Sequence, residues 1–189
     1  MKAADPAAVR KSRVFLVLIA LVFAAPMLVA GLLTWSGWMP GTKGNGEPIM
    51  PQRNFVSEKL AVQLADGKLY AWRDSEPRLT LIALAGPDCA SHCLATLTSM
   101  AAARVTLNRN QSRLRLLYLG TPPADDARDG MRNYWLLGKD VDGKLERFRP
   151  TTPDSVSAVL VESNGTALSL YPAGFDPSGL RKDLQKVIK

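Results

Sequence analysis

The longest hydrophobic feature is an apolar run from Val14 to Leu33, interrupted only by Pro26. Twenty helical residues rise about 30 Å, the thickness of a bilayer's hydrocarbon core. Trp35 and Trp38 follow at once, where interfacial anchors belong. A cleavable signal peptide is the competing reading, because Leu28-Val-Ala30 resembles a small-residue cleavage site. Its apolar region would span only about 7–15 residues, so the length favours an uncleaved anchor. Lys2, Arg10, Lys11 and Arg13 precede the run and are expected to hold residues 1–13 on the cytoplasmic side. This predicts a single-pass protein of a bacterial inner membrane, spanning at 14–33, with everything beyond Leu33 in the periplasm.

Residues 34–56 have no hydrophobic period and include Pro40-Gly-Thr-Lys-Gly-Asn-Gly-Glu-Pro48, which predicts a flexible tether. Residues 57–189 are enough for one domain with its own core. Within them, Lys59–Leu64 and Leu69–Trp72 flank Asp66-Gly67 as a short hairpin. Leu79–Ala85 is continuously apolar, the pattern of a strand covered on both faces. A helix is predicted from Ser91 to about Asn108, with Leu94, Leu97, Thr98, Ala101 and Val105 facing inward. Leu114–Leu119 reads as a second buried strand. Asp125 to about Leu137 reads as a helix with acidic residues in its first turn, where the dipole favours them. Val156–Val161 and Leu168–Tyr171 flank Ser163-Asn-Gly165, a hairpin signal. A last helix is predicted with Asp176 as N-cap, Pro177 in its first turn and an apolar stripe of Leu180, Leu184, Val187 and Ile188. Alternating elements of this kind make an α/β domain around a mixed sheet.

Charge adds little. The chain carries 24 basic and 17 acidic residues, and setting aside Asp5 and the four basic residues before the span leaves a net charge of +4. That excess is spread out, without the basic patch or recognition motif that nucleic-acid binding requires. With a single histidine, most hydrolytic mechanisms lack an obvious base. No Gly-rich phosphate loop or Ser/His/Asp set is present.

The cysteines change the picture. Cys89 and Cys93 are the only two, and they sit in Gly86-Pro-Asp-Cys-Ala-Ser-His-Cys93, between the apolar strand and the helix that follows it. A pair in an oxidising compartment is by default a structural disulfide. One that closes so short a loop gains little by closing it, which turns the reading toward redox or metal work. A step of four on a first helical turn puts both sulfurs on one face, with Cα atoms about 6 Å apart, within disulfide range. The helix N-terminus should lower the pKa of Cys89, which marks it as the nucleophile of the two. Two thiolates, with His92 as a candidate third ligand, suit Cu(I) or Zn(II). A structural zinc site normally takes four protein ligands, so Cu(I) is the better match. The alternative for His92 is an exposed helix residue without a role. Asp88 beside Cys89 is a candidate acid/base, with a loop or cap role favoured. Tyr118, Tyr134 and Trp135 are read as core aromatics, and Asp125, Asp126 and Asp129 as helix N-terminal charge rather than a cation site.

A helix that starts just after a buried strand and carries two cysteines resembles the thioredoxin-like arrangement, here behind one N-terminal transmembrane helix. Cys-x-x-x-Cys in that setting resembles the Sco/SenC copper-delivery proteins of cytochrome c oxidase assembly. Leu119-Gly-Thr-Pro-Pro-Ala-Asp-Asp-Ala-Arg-Asp129, with Met131 and Tyr134, is similar to that family's "VDPERDTPEVLKxY" segment, and Leu160-Val-Glu-Ser-Asn-Gly165 to its "LVDPDG" hairpin. Together these cover most of residues 58–189. The resemblance implies that Cys89 and Cys93 carry Cu(I) delivery or thiol reduction toward a respiratory oxidase subunit or another copper-site assembly factor. Two departures stand out. Leu94 replaces the family's proline after the second cysteine, and Asp154 falls where the resemblance places the copper-binding histidine. A carboxylate is a hard donor, poorly suited to Cu(I). Three readings follow: His92 substitutes, a partner supplies the third ligand, or copper binding has been lost. The rival of a different class is a non-catalytic, membrane-anchored scaffold with a local disulfide.

Overall fold

The computed structural model describes residues 6–36, 44–122 and 125–188. It divides into two units, residues 1–43 and 44–189. Among its described residues the first contains one helix, α1 (Pro6–Trp35), with Pro26 inside it. Phe15–Trp35 has a mean hydropathy of 2.8 and none of it is buried, as befits a helix whose solvent is lipid or which precedes a cleavage site. Trp38 lies outside the described residues.

The second unit is a seven-stranded mixed sheet with helices on one face. Its strands are β1 (Glu47–Pro48), β2 (Val62–Leu64), β3 (Leu79–Ala85), β4 (Leu114–Leu119), β5 (Leu136–Asp140), β6 (Val156–Val161) and β7 (Ala167–Tyr171). They run in the order β1-β7-β6-β3-β4-β5-β2. β3, β4 and β5 are parallel neighbours, and β6 pairs antiparallel with β3. The helices are α2 (Ser91–Val105), α3 (Asp125–Arg132) and α4 (Pro177–Val187). Alternation along the central strands feeds two cores. Leu81, Ala83 and Ala85 of β3 face Leu97 and Met100 of α2 and Leu180 and Leu184 of α4. Ile82 and Leu84 face Phe55, Trp72, Leu145 and Phe148, which come from loops and a short 3-10 turn rather than from an α-helix. Both faces of β3 are therefore dry, as a continuous apolar strand requires.

β3, β4 and β6 form over the ranges their apolar runs predict. The cap of α4 is also as expected: the Asp176 carboxylate accepts from the N–H groups of Ser178 and Gly179. Four expectations need correction. The segment read as tether is not free throughout: residues 37–43 lie outside the described set, but from Gly44 onward the chain packs on the domain. β1 pairs with β7, Phe55 is fully buried, and Asn45 bonds to Asp183 and Gly179 of α4. The helix predicted from Asp125 to Leu137 stops at Arg132, and Leu136–Asp140 forms a strand parallel to β4. The inward face of α2 is rotated: Cys93, Leu97, Met100, Ala101 and Ala103 are buried, Val105 is half exposed and Thr98 is exposed. The first hairpin keeps its turn, but its second arm contributes only a bridge between Gln63 and Leu69.

Candidate redox site

β3 ends at Ala85, and the chain then passes through Gly86-Pro-Asp-Cys-Ala before α2 begins at Ser91. Asp88 takes a positive φ of 53°, turning the loop so that Cys89 meets the first helical turn. Cys89 and Cys93 form a disulfide with a Cα–Cα separation of 5.2 Å. Cys93 is completely buried in the core under α2, whereas Cys89 is only partly covered. The bridge therefore joins a partly covered cysteine to a fully buried one.

Helix α2 lacks a local cap. Ala90 stands at the N-cap position, and no side chain of its own segment bonds the first turn. The cap comes instead from Asp154, in the loop before β6. Its Oδ1 accepts from Ala90 N at 2.8 Å and Cys93 N at 2.8 Å, and its Oδ2 accepts from His92 N at 3.0 Å. These donors, the Cys93 N–H foremost, hold the Asp154 carboxyl below its ordinary value of 3.8 against the opposing effect of desolvation. The two loops are clasped at several points. Asp154 N donates to Pro87 O at 3.0 Å, and Gly86 N donates to Ser155 O at 2.9 Å. A side chain on Gly86 would place Cβ 2.5 Å from Thr152 O, so glycine is what allows this approach. Arg149 closes the far side, donating from Nη1 to Ala85 O at 2.6 Å at the end of β3.

The four residues singled out from the sequence, Cys89, His92, Cys93 and Asp154, thus converge. Asp154 lies against the cysteine turn, and its carboxylate is occupied by three backbone donors. His92 is exposed, its Nδ1 lies 3.3 Å from the Asp154 backbone carbonyl oxygen, and its ring lines a cleft with Val156, Phe175 and Pro177. Among the described residues, no three His, Cys, Asp or Glu side chains are placed to hold a metal ion. Tyr118 and Trp135 are core residues as expected, but Tyr134 is about half exposed. Burial pushes the Tyr118 hydroxyl up to about 12, and it donates to Thr121 O. Asp129 is exposed and pairs with Arg132. Sequence reasoning missed the capping role of Asp154. The available signal was Ala90 at a helix start, where Ser, Thr, Asp or Asn would be expected.

Residues 79–189 match the family model described as "Transmembrane-like, thioredoxin-like, C-terminal domain". The chain belongs to this family. Among curated proteins, nothing matches. Among solved structures it is similar to the apo Sco1 protein from Thermus thermophilus, at 16% identity and a TM-score of 0.51 over 77% of this chain and 97% of that one. It is equally similar to the bacterioferritin comigratory protein of Xanthomonas campestris, at 12% identity and a TM-score of 0.51 over 77% and 98%. Arabidopsis thaliana ScoI with copper bound follows at 14% identity and a TM-score of 0.49, over 76% and 97%. At such identities the first two likenesses, with the family match, establish the thioredoxin-like fold and nothing finer.

Proposed function

We propose that this chain is a membrane-anchored thiol–disulfide exchange protein whose working pair is Cys89 and Cys93. The observation that carries the reading is the asymmetry of the bridge, with Cys89 only partly covered at a helix start and Cys93 fully buried behind it. In the reduced form, the Cys89 thiolate attacks one sulfur of a partner's disulfide. The partner's S–S bond breaks, and its other sulfur leaves as a thiolate that takes up a proton. The Cys93 thiolate then attacks Cys89 Sγ, forming the intramolecular disulfide and releasing the partner's second sulfur. Two electrons pass to the partner, and a dithiol donor on the same side of the membrane restores the reduced pair.

The anchor is α1, with the domain in the periplasm of a bacterial inner membrane, as the basic residues before the span favour. The partner is a copper-site protein, either a respiratory oxidase subunit or another of its assembly factors. This part rests on the sequence resemblance. Delivery of Cu(I) is the other use of the same sulfurs. It requires the partner to complete the ligand set, because the Asp154 carboxylate is already engaged and is a poor donor to Cu(I).

The test uses the full-length chain in detergent with Cys93→Ser. Thiol exchange predicts that Cys89 accumulates a stable mixed disulfide with glutathione, which the wild type resolves. A Cys93→Ser protein that forms no adduct, or a wild type that never resolves one, removes the proposal. Anaerobic Cu(I) titration of the reduced wild type against a competing chelator reads the other use. Binding no tighter than that of Cys89→Ser/Cys93→Ser retires solitary copper carriage.

A further inference from the structure

Helix N-termini favour thiolates because their first amide groups are unpaired and their dipole is positive. Here that advantage is taken by another group. The N–H groups of Ala90, His92 and Cys93 all donate to Asp154, at 2.8, 3.0 and 2.8 Å. A carboxylate occupies the place from which those donors would otherwise stabilise a negative sulfur.

We propose that Asp154 is a positioning residue that sets the redox equilibrium of the Cys89–Cys93 pair, biasing it toward the disulfide and making the dithiol a stronger reductant. The inference deepens the thiol-exchange reading and rests on it. A disulfide is neutral and indifferent to the neighbouring charge. The reduced pair must instead form its thiolate beside a fixed negative group, without the amide donors. The bias therefore acts on one side of the couple only. Two features hold the carboxylate in place. Asp154 adopts a φ of 51°, in the left-handed region, and its own N–H is tied to Pro87 O of the cysteine loop. Gly86 leaves no room between that loop and Thr152, so the clasp cannot slide without displacing both strands' ends. The three amide bonds also keep the carboxyl ionised, as its lowered pKa records.

A cap with a purely structural role would stabilise the oxidised and reduced forms alike and leave their ratio unchanged. The test is therefore an equilibrium measured on the full-length chain in detergent. Dithiothreitol buffers of varied thiol-to-disulfide ratio are used at about pH 8.5, where thiolate is well populated. Each exchange converts the protein disulfide to a dithiol and dithiothreitol to its cyclic disulfide, transferring two electrons and two protons. Asp154→Asn is expected to shift the equilibrium toward the dithiol about tenfold, equivalent to roughly 30 mV. Asp154→Glu keeps the charge and is expected to stay within about threefold of wild type. Asp154→Ser, a neutral cap, supplies the same reading if the Asn variant does not fold. Neutral variants that melt lower in both redox forms, with an equilibrium within about twofold of wild type, would overturn the inference. The rate at which the reduced chain opens a small disulfide separates the two claims. A shifted equilibrium reached no faster than free dithiothreitol opens the same small disulfide sinks the functional reading alone, and normal exchange with an unshifted equilibrium sinks this one.

Discussion

Gly86→Ala is the sharpest structural prediction, because it introduces a single methyl group where the two site loops meet. An ideal Cβ at residue 86 lies 2.5 Å from Thr152 O and 3.1 Å from both Pro150 O and Ser155 Oγ. Ordinary contact begins at 3.4 Å, so the Thr152 carbonyl must retreat by about 0.9 Å. The obstacle is backbone, which no rotamer change can move aside. A shift of that size along the loop would stretch the Asp154 bonds to Ala90 and Cys93, now 2.8 Å, beyond useful length. Overpacking of this kind costs about 1–3 kcal/mol, before any loss of the cap. In a domain of this size each kilocalorie lowers the unfolding midpoint by roughly 2–4 °C. Thermal unfolding of the oxidised full-length chain, followed by circular dichroism, should therefore fall by several degrees. The same variant should open a small-molecule disulfide at an altered rate, since the cysteine turn moves with the loop. A midpoint within about 1 °C of wild type, with unchanged exchange, would refute the tight-clasp account.

Three further outcomes follow from other parts of the structure. Cys89→Ser/Cys93→Ser should abolish exchange yet leave a folded domain, because so short a loop adds only about 2 kcal/mol through chain entropy. Loss of folding would instead identify the bridge as a structural clip. Asn45→Ala removes an amide that donates to Gly179 O and Asp183 Oδ1, both at 3.1 Å, and should cost about 1–3 kcal/mol in urea unfolding. An unchanged midpoint would mean that the segment from Gly44 is not part of the folded unit. Below pH 4 stability should fall, because the N–H groups of Cys93 and Ser178 hold Asp154 and Asp176 beneath their ordinary 3.8. Lowered folded-state values give stabilisation that is complete above 3.8 and lost as pH drops through them. Asp176→Asn should flatten this acid limb, and an identical limb would contradict the assignment.

Much of the domain was legible in the sequence because its central strands are apolar on both faces and need no tertiary information to be recognised. β3, β4 and β6 fall where continuous Leu, Ile, Val and Ala runs predict them. β5 was hidden because Met131, Tyr134, Trp135 and Leu137 continue a helical apolar period across the end of α3. Pairing with Leu117–Leu119 overrides that period, and no local signal announces it. The packing of Gly44 and Asn45 was hidden for a similar reason. A Gly-rich stretch reads as loose until a distant partner, here Asp183 on α4, satisfies its polar groups. At the site, the strand, the cysteine pair and the helix start were all visible. The cap on that helix was not, because Asp154 reaches it from 64 residues away along the chain. The resemblance drew attention to position 154 for its ligand chemistry, whereas the structure gives it a role in holding backbone.

The central claim is that the Cys89–Cys93 bridge works rather than merely holds. Its reduction potential tests this most directly, measured on the full-length wild-type chain in detergent against dithiothreitol buffers. The account predicts rapid equilibration without unfolding and a potential above about −300 mV, outside the range of structural disulfides. A bridge that reduces only when the domain unfolds, or whose potential lies below that value, would contradict it.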